Sequence, residues 1–455
     1  MLLLTYFLSF LIIYKGTDAS GCNQRLYDQE SFVCVCDENT CDDFPPVEYP
    51  LKGTYKVITS SSDEFRFEEA SGNFTDVSDG YARIFVNTSD PLQVMLGFGG
   101  AFTDATGINV AKLSSVLQGV FARQYFSENG LEYNLGRVPI GGCDFSTHPY
   151  SYDDYEGDVE LANFSLTVED YTYKIPLMKA AQQLSVDDYH FIATPWSPPS
   201  WMKTNGMFNG TGKLIPEMQQ PWANYFVKFF DAYQEEGVTF YGFTVQNEPY
   251  AGSTDWDWNC CHFTAEDEKV FVRDYLGPTL QAAGYDDLKL LIGDGNLEIY
   301  PQFIENNINH WSTGWIDWNM ALDLNGGPNW AFNYVDSPVI VNETSNEFYK
   351  QPMFYVLGHF SKFIPEGSAH IGSNINLLEP SSRNNLLELI GNPVGGIDSS
   401  SFIRPDGYVI SVVLNTNTDA KTILLEDDLL ATEFYTILPP KSIQTFIYTT
   451  NEVQL

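Results

Sequence analysis

Positive charge is what this chain has least of: 23 Lys and Arg stand against 60 Asp and Glu in 455 residues, a formal net charge of −37. A surface of that sign repels phosphate backbones, so nucleic acid is excluded as a partner, and direct steering onto an anionic membrane is weak unless the pH is low. Protonating part of those carboxylates would relax the self-repulsion, which suits an acidic compartment. Histidine is scarce too: His148, His190, His262, His310, His359 and His370 are the full set, and they show no metal-ligand spacing. The stretch "GFGGAF" has neither the Lys-Ser/Thr ending of a phosphate loop nor G-x-G-x-x-G order. No serine sits in a nucleophile elbow. Metal, nucleotide and serine-hydrolase chemistry therefore have no motif to rest on, and no cofactor is expected. Beyond the first residues no apolar run approaches transmembrane length, and neither an internal repeat nor a low-complexity linker interrupts the chain.

What is present reads as a secreted globular protein. Hydrophobic residues make up 44% and aromatics 15%, enough to build cores in two or three domains. The apolar run Leu2 to Tyr14, followed by Ala19, Ser20 and Gly21, reads as a signal peptide over residues 1–20, sending the chain to the lysosome or out of the cell. Cys22, Cys34, Cys36 and Cys41 cluster just behind it and predict two disulfides. Cys143, Cys260 and Cys261 remain, an odd number that leaves at least one free thiol. Asn73, Asn87, Asn163, Asn209 and Asn342 each open an N-x-S/T sequon and are expected glycosylation sites.

The pattern of the chain changes twice. Residues 21–92 form a disulfide-containing N-terminal segment with short alternating runs that read as β-hairpins. Over 93–318 strand-like and helix-like runs alternate, the signature of a parallel sheet. The strand-like runs include "LEYNLGRVPIGGCDF", "YHFIATPWSPPSW", "VTFYGFTVQNEP" and "LKLLIGDGN". The clearest helix spans 221–236, where Trp222, Tyr225, Phe226, Phe229, Phe230 and Tyr233 follow the i, i+3, i+4, i+7 spacing of one buried face. Residues 319–367 form a β segment returning to the barrel. Residues 368–455 carry consecutive strands separated by Asn, Asp and Pro, an antiparallel β-sandwich that the N-terminal hairpins are placed to complete. The fold class is thus α/β: a (β/α) TIM-type barrel with an attached antiparallel β-sandwich built from both ends of the chain.

Four consecutive strand-like runs end in polar or aromatic residues: Asp104, Arg137 with Asp144, Trp196 with Trp201, and Asn247 with Glu248. In a β/α barrel those ends meet on one face, and that face carries chemistry. Glu248 in "TVQNEPYAG" is either a proton donor or an ordinary acid at a helix start. Cleaving a glycosidic bond needs an acid to protonate the leaving oxygen and a second carboxylate to attack the sugar or activate water. Asn247 is placed to bond a sugar hydroxyl or to position the neighbouring carboxyl. Trp196, Trp201 and Trp318 offer indole faces for pyranose rings or ordinary core packing. Arg137 and Asp144 either grip hydroxyls or pair with each other across the barrel mouth.

The motifs "CVCDENTCDDF", "GFGGAFTDA", "RVPIGGCDFS", "PWSPPSWMKTNG", "NEPYAG", "GWIDWNMAL", "GGPNW", "VDSPVIV" and "FYKQPMFYVLGHFSKFIPEGS" resemble the lysosomal glucosylceramidase (glucocerebrosidase) family of retaining β-glucosidases. The resemblance implies hydrolysis of β-glucosylceramide to glucose and ceramide, with a saposin-type activator and an anionic lipid surface as partners. By position it makes Glu248 the acid/base and Arg137, Asp144, Trp196, Asn247, Trp318 and Asn333 the glucose pocket. It pairs Cys22 with Cys34 and Cys36 with Cys41.

One part of that pattern is absent. The family's nucleophile is a Glu at the end of the seventh barrel strand, in a phenylalanine-alanine-serine-glutamate stretch that this chain does not contain. Only 69 residues separate Glu248 from Trp318. At roughly 30 residues per β/α unit, reaching the eighth strand from the fourth needs about 110 or more. About two units are therefore expected to be missing. Glu298 and Glu305 lie beside the gap but fall by pattern in a loop and a helix, not at a strand end. The alternative to a hydrolase is a catalytically dead paralogue that binds glycolipid or protein.

Overall fold

The computed structural model describes residues 21–74, 80–294, 301–378, 394–427 and 434–449. The expected signal peptide, residues 1–20, and Glu298 lie outside them.

Six strands form the central sheet: β1 (Gly97–Ala101), β2 (Leu135–Ile140), β3 (His190–Pro195), β4 (Gly242–Thr244), β5 (Lys289–Leu291) and β6 (Gly314–Asn319). They run in the order β5-β4-β3-β2-β1-β6, and every neighbouring pair is parallel. The runs are continuously apolar or glycine-rich because helices and loops cover them on both sides, and β1 is buried along its whole length. Gly99 shows how close the strands lie: a Cβ there would stand 1.7 Å from the Leu135 carbonyl oxygen, so only glycine lets β1 meet β2.

The helix after β3 spans Gln219–Glu235, two residues before the expected proline start, and buries Trp222, Tyr225, Phe226, Phe229, Phe230 and Tyr233. Its stop is Gly237, whose φ of 79° suits a residue without a Cβ. Further helices of the barrel are Asp104–Lys112, Ile175–Leu184, Ala265–Phe271 and Pro301–Asn309.

Among the described residues the barrel does not close. Eight strands complete such a barrel; here β5 and β6 are the two edges of six. Ile292, just past β5, is 80% exposed. Among the described residues the shortfall lies where the residue count puts it, between the fifth strand and the last.

The N-terminal hairpins and the C-terminal strands do join in one sheet of nine. Its core strands include Ala82–Val94, Ala369–Leu377, Ile397–Ile403, Tyr408–Asn415 and Ser442–Thr449, with Thr54–Ser61 and Glu68–Asn73 at one edge. It encloses a hydrophobic core of its own, containing Ile84, Val86, Ile371, Val409, Phe434 and Phe446. The first strands behave differently. Phe32–Cys36 pairs antiparallel with Glu347–Lys350 in a separate five-stranded sheet that also holds Ala321–Asp323, the strand directly after β6. Cys22–Cys34 and Cys36–Cys41 are disulfide-bonded within that segment, and Cys143, Cys260 and Cys261 are free and buried. Among the described residues, no helix is long and apolar enough to cross a membrane.

Candidate active site

One cluster gathers Arg137 from within β2 and residues at or just past the C-terminal ends of β3, β4, β5 and β6. Arg137 on β2 lies over the Trp196 ring with its guanidinium carbon 4.6 Å from the centroid, and 5.6 Å from that of Trp318. The two indoles stack on each other, centroids 5.1 Å apart and planes 23° from parallel. Trp196 is buried, whereas Trp318 is half-buried and meets Phe145 edge-on. Trp201 does not join them. Its indole N–H donates to the Asp153 carbonyl at 2.9 Å, and the ring packs against the main core.

Arg137 Nη2 donates to Asn247 Oδ1 and to Asp294 Oδ2, each at 2.7 Å. The ion-pair partner of Arg137 is therefore Asp294, not Asp144. Asp144 is buried and accepts from Asn333 Nδ2 at 2.8 Å, while the Trp330 amide bonds the Asp144 carbonyl. Burial pushes the Asp144 carboxyl up to about 6 against the hydrogen bond from Asn333. Removing that donor by Asn333→Ala should carry the Asp144 titration above about 6, since the hydrogen bond that lowers it is lost. Carboxyl carbon NMR followed across pH checks the shift.

Glu248 is half-buried at the turn after β4 and holds a φ of 42°, a left-handed backbone uncommon outside glycine. Its carbonyl receives the Ala251 amide at 2.8 Å, closing the turn. The adjoining Asn247 amide is anchored to the Pro195 carbonyl at 2.8 Å, so β3 fixes where the turn begins. Burial raises the Glu248 carboxyl, and the nearby charges of Asp144 and Asp294 raise it further against the opposing field of Arg137. A carboxyl held protonated in weak acid is suited to donate a proton.

Asp104, the first strand-end acid, belongs to the scaffold rather than the cluster. It is buried, accepts from Ser146 Oγ at 2.5 Å and from the Tyr150 hydroxyl at 3.0 Å, and lies 3.6 Å from the Lys174 ammonium. Glu305 lies on the helix Pro301–Asn309 before β6, and its neighbouring charge is Asp398 of the nine-stranded sheet. It takes no part in the site.

Asp294, together with Thr244, is the residue that reading the sequence missed. Thr244 Oγ1 donates to Asp294 Oδ2 at 2.8 Å and lies 3.0 Å from Thr194 Oγ1. The signal was present in "LLIGDGN", another apolar strand ending in an acid, the same pattern that drew attention to Glu248.

With this geometry in hand, the match to known proteins is decisive. The glycosyl hydrolase family 30 TIM-barrel domain matches residues 95–306 and 298–364, and the family's β-sandwich domain matches 367–446. The chain belongs to glycosyl hydrolase family 30. It is 34% identical to lysosomal acid glucosylceramidase of Mus musculus, over 97% of this chain and 98% of that one. SrfJ of Salmonella typhimurium superposes with a TM-score of 0.75 at 25% identity, covering 87% of this chain and 99% of the other. The endo-β1,6-glucanase BT3312 superposes at 0.74 with 23% identity over 88% of this chain, a likeness of fold. As a family 30 member, the chain is a glycoside hydrolase by descent. Its alignment with the mouse relative runs to 524 positions, more than the 455 residues available, so that relative carries residues with no counterpart here. The two pieces of the family 30 barrel match overlap at 298–306, between β5 and β6.

Proposed function

We propose that this is a glucosylceramidase-type site, built to cleave β-glucosylceramide to glucose and ceramide by retaining double displacement, in a chain that lacks the attacking carboxylate. The observation that carries this reading is the sheet of six strands among the described residues, open between β5 and β6, beside an otherwise assembled strand-end cluster. Glu248 is the acid/base. Trp196 and Trp318 offer faces to the sugar ring, and Asp144, Asn333 and Asn247 offer polar groups to its hydroxyls, with Arg137 holding Asn247. A retaining mechanism requires a second carboxyl about 5–5.5 Å from the acid. In the family pattern that group sits on the seventh strand, a part of the barrel this sheet does not include. Asp294 is a poor substitute, because one of its oxygens already accepts from both Arg137 and Thr244.

The 34% identity to a lysosomal relative and the acidic composition support lysosomal or secretory routing through the signal peptide at 1–20, with glycosylation at the five sequons. A saposin-type activator and an anionic lipid surface are the partners that the family resemblance implies.

The 455-residue chain is expected to bind a β-glucoside and not to turn it over. Incubation with a fluorogenic β-glucoside at pH 5 should release no fluorophore above the level of the Glu248→Gln variant. Turnover abolished by that substitution would overturn the absence of a nucleophile. Sequencing the transcript across the codons for Asp294 to Phe303 separates two origins. An insert restoring two β/α units with a strand-end Glu marks a mis-joined form of an active enzyme. An uninterrupted transcript with a folded, soluble product marks a binding protein without turnover.

A further inference from the structure

We propose that Asp294 is a positioning residue of the sugar site, which, through Arg137, sets which end of the Asn247 amide faces the pocket. The inference deepens the glucosylceramidase reading and rests on it for the identity of the sugar. Asp294 follows β5, the last strand before the opening in the sheet, and no residue beyond it among those described reaches the cluster until β6. Its Oδ2 accepts from Arg137 Nη2 at 2.7 Å and from Thr244 Oγ1 at 2.8 Å. Thr244 in turn lies 3.0 Å from Thr194 Oγ1. One carboxylate oxygen thereby laces together β2, β3, β4 and β5.

The consequence lies in what Arg137 Nη2 has left. A guanidinium terminal nitrogen carries two hydrogens and no lone pair to accept with. One hydrogen goes to Asp294, and the other goes to Asn247 at 2.7 Å. The atom of Asn247 meeting a pure donor must be its carbonyl oxygen, so the NH2 end is turned the other way, as a donor. The guanidinium also lies over the Trp196 ring at 4.6 Å, so its tether to Asp294 decides which way its hydrogens point. Asn247 is buried and its backbone is pinned to Pro195, so the side-chain amide is the part of it still free to turn over. Without Asp294, Arg137 loses its charge-assisted tether, can turn toward Glu248, and releases Asn247 to flip. The pocket then presents an acceptor where it presented a donor. Asp294 touches no reacting atom in this scheme. It acts through Arg137 and Asn247.

Asp294→Asn tests this, because it keeps the shape and removes the charge. Two readouts are taken on the full chain: the titration of Glu248, followed by carboxyl carbon NMR with Glu248→Gln for assignment, and the binding of p-nitrophenyl β-D-glucoside by calorimetry. The Glu248 titration should move down, since a like charge is removed and Arg137 is freed to approach. Glucoside binding should weaken by about tenfold, the scale of a lost or reversed hydrogen bond in a desolvated site. A drop in binding with the titration unmoved would mark a merely structural role and overturn the inference. A moved titration with binding intact would overturn it as well. If the wild-type chain binds no glucoside, the glucosylceramidase reading fails, and the titration alone then decides whether Asp294 governs the cluster.

Discussion

Lys174→Met should unfold the barrel or cost it about 3–5 kcal/mol, the range for stranding buried partners of a lost charge. Lys174 is fully enclosed, 2.8 Å from Asp170 Oδ1 and 3.6 Å from Asp104 Oδ1. Asp170 also accepts from the hydroxyls of Tyr152 at 2.7 Å and Tyr233 at 2.6 Å. Burial works to raise its carboxyl, but the Lys174 charge and these hydrogen bonds outweigh burial and hold it below the usual carboxylate range. For Asp104 the balance falls the other way: burial raises it in spite of Lys174 and Ser146. Methionine fills the space of the lysine stem but offers neither carboxylate a charge. Both would have to take up protons or leave the core. The damage should also reach the site. Ser146 Oγ bonds Asp104, and the Ala105 amide bonds the Phe145 carbonyl, so this network holds the loop carrying Asp144. Chemical denaturation followed by fluorescence gives the stability loss. The double variant Lys174→Met with Asp170→Asn should recover part of it, because removing both charges avoids the stranded carboxylate. No recovery in the double variant would show that the lysine acts through packing alone.

The strand ends were the most legible part of the molecule. The runs around Arg137, Trp196 and Asn247-Glu248 carry their burial in the sequence, since a parallel strand covered on both faces is apolar nearly throughout, although Arg137 turns out to lie within its strand rather than at the tip. The truncation was legible for an equally physical reason: rise per residue and unit length fix how many strands 69 residues can hold. Partner choice was not legible. The period-2 pattern of Phe32–Cys36 says which face is buried and not which strand lies beside it, so its pairing with Glu347–Lys350, more than 300 residues away, had no local signal. Arg137 failed for a related reason. Two acids were within reach by strand-end logic, and the nearer in sequence, Asp144, drew attention while the true ion-pair partner was Asp294. Glu305 shows the limit most clearly. Its helix was expected, but nothing local tells a helical glutamate that its outward face will be covered by another sheet.

That covering makes Glu305 the source of the second large effect. Glu305→Leu should stabilise the protein at pH 7 by about 1–3 kcal/mol, the cost of a buried group left without partners, and should flatten the fall of stability between pH 5 and 7. Glu305 has no exposed surface, and among the described residues neither of its carboxylate oxygens has a hydrogen-bond partner. It sits on the helix Pro301–Asn309, which bonds the nine-stranded sheet through Asn309 Nδ2 to the Ser399 carbonyl at 3.2 Å. Burial pushes the Glu305 carboxyl well up, and the neighbouring Asp398 charge pushes it further. Asp398 is itself raised to about 6 by burial, and Asp317 on β6 to about 7. For each of these groups the folded pKa lies above the unfolded one, near 4. For Asp398 and Asp317 the contribution to stability is complete below the unfolded value and is lost as pH rises through the folded values, from about 4 to about 7, and Glu305, raised by burial, adds to the loss in the same direction. Two histidines oppose them. Burial lowers His359 to about 3 and His370 to about 4, so in the unfolded chain both take up protons below about 6.5 and favour unfolding in acid. Three raised carboxyls, with Asp104 and Asp144 beside them, outnumber two histidines over that interval. The folded state therefore binds more protons, and stability should fall as pH rises from 5 to 7. Melting temperatures measured across that interval test the sign directly. Glu305→Leu should raise the pH 7 value more than the pH 5 value, because only at the higher pH is the native carboxyl pressed to ionise inside the interface. An equal gain at both pH values would mean that the leucine improves packing and that Glu305 carries no part of the pH dependence.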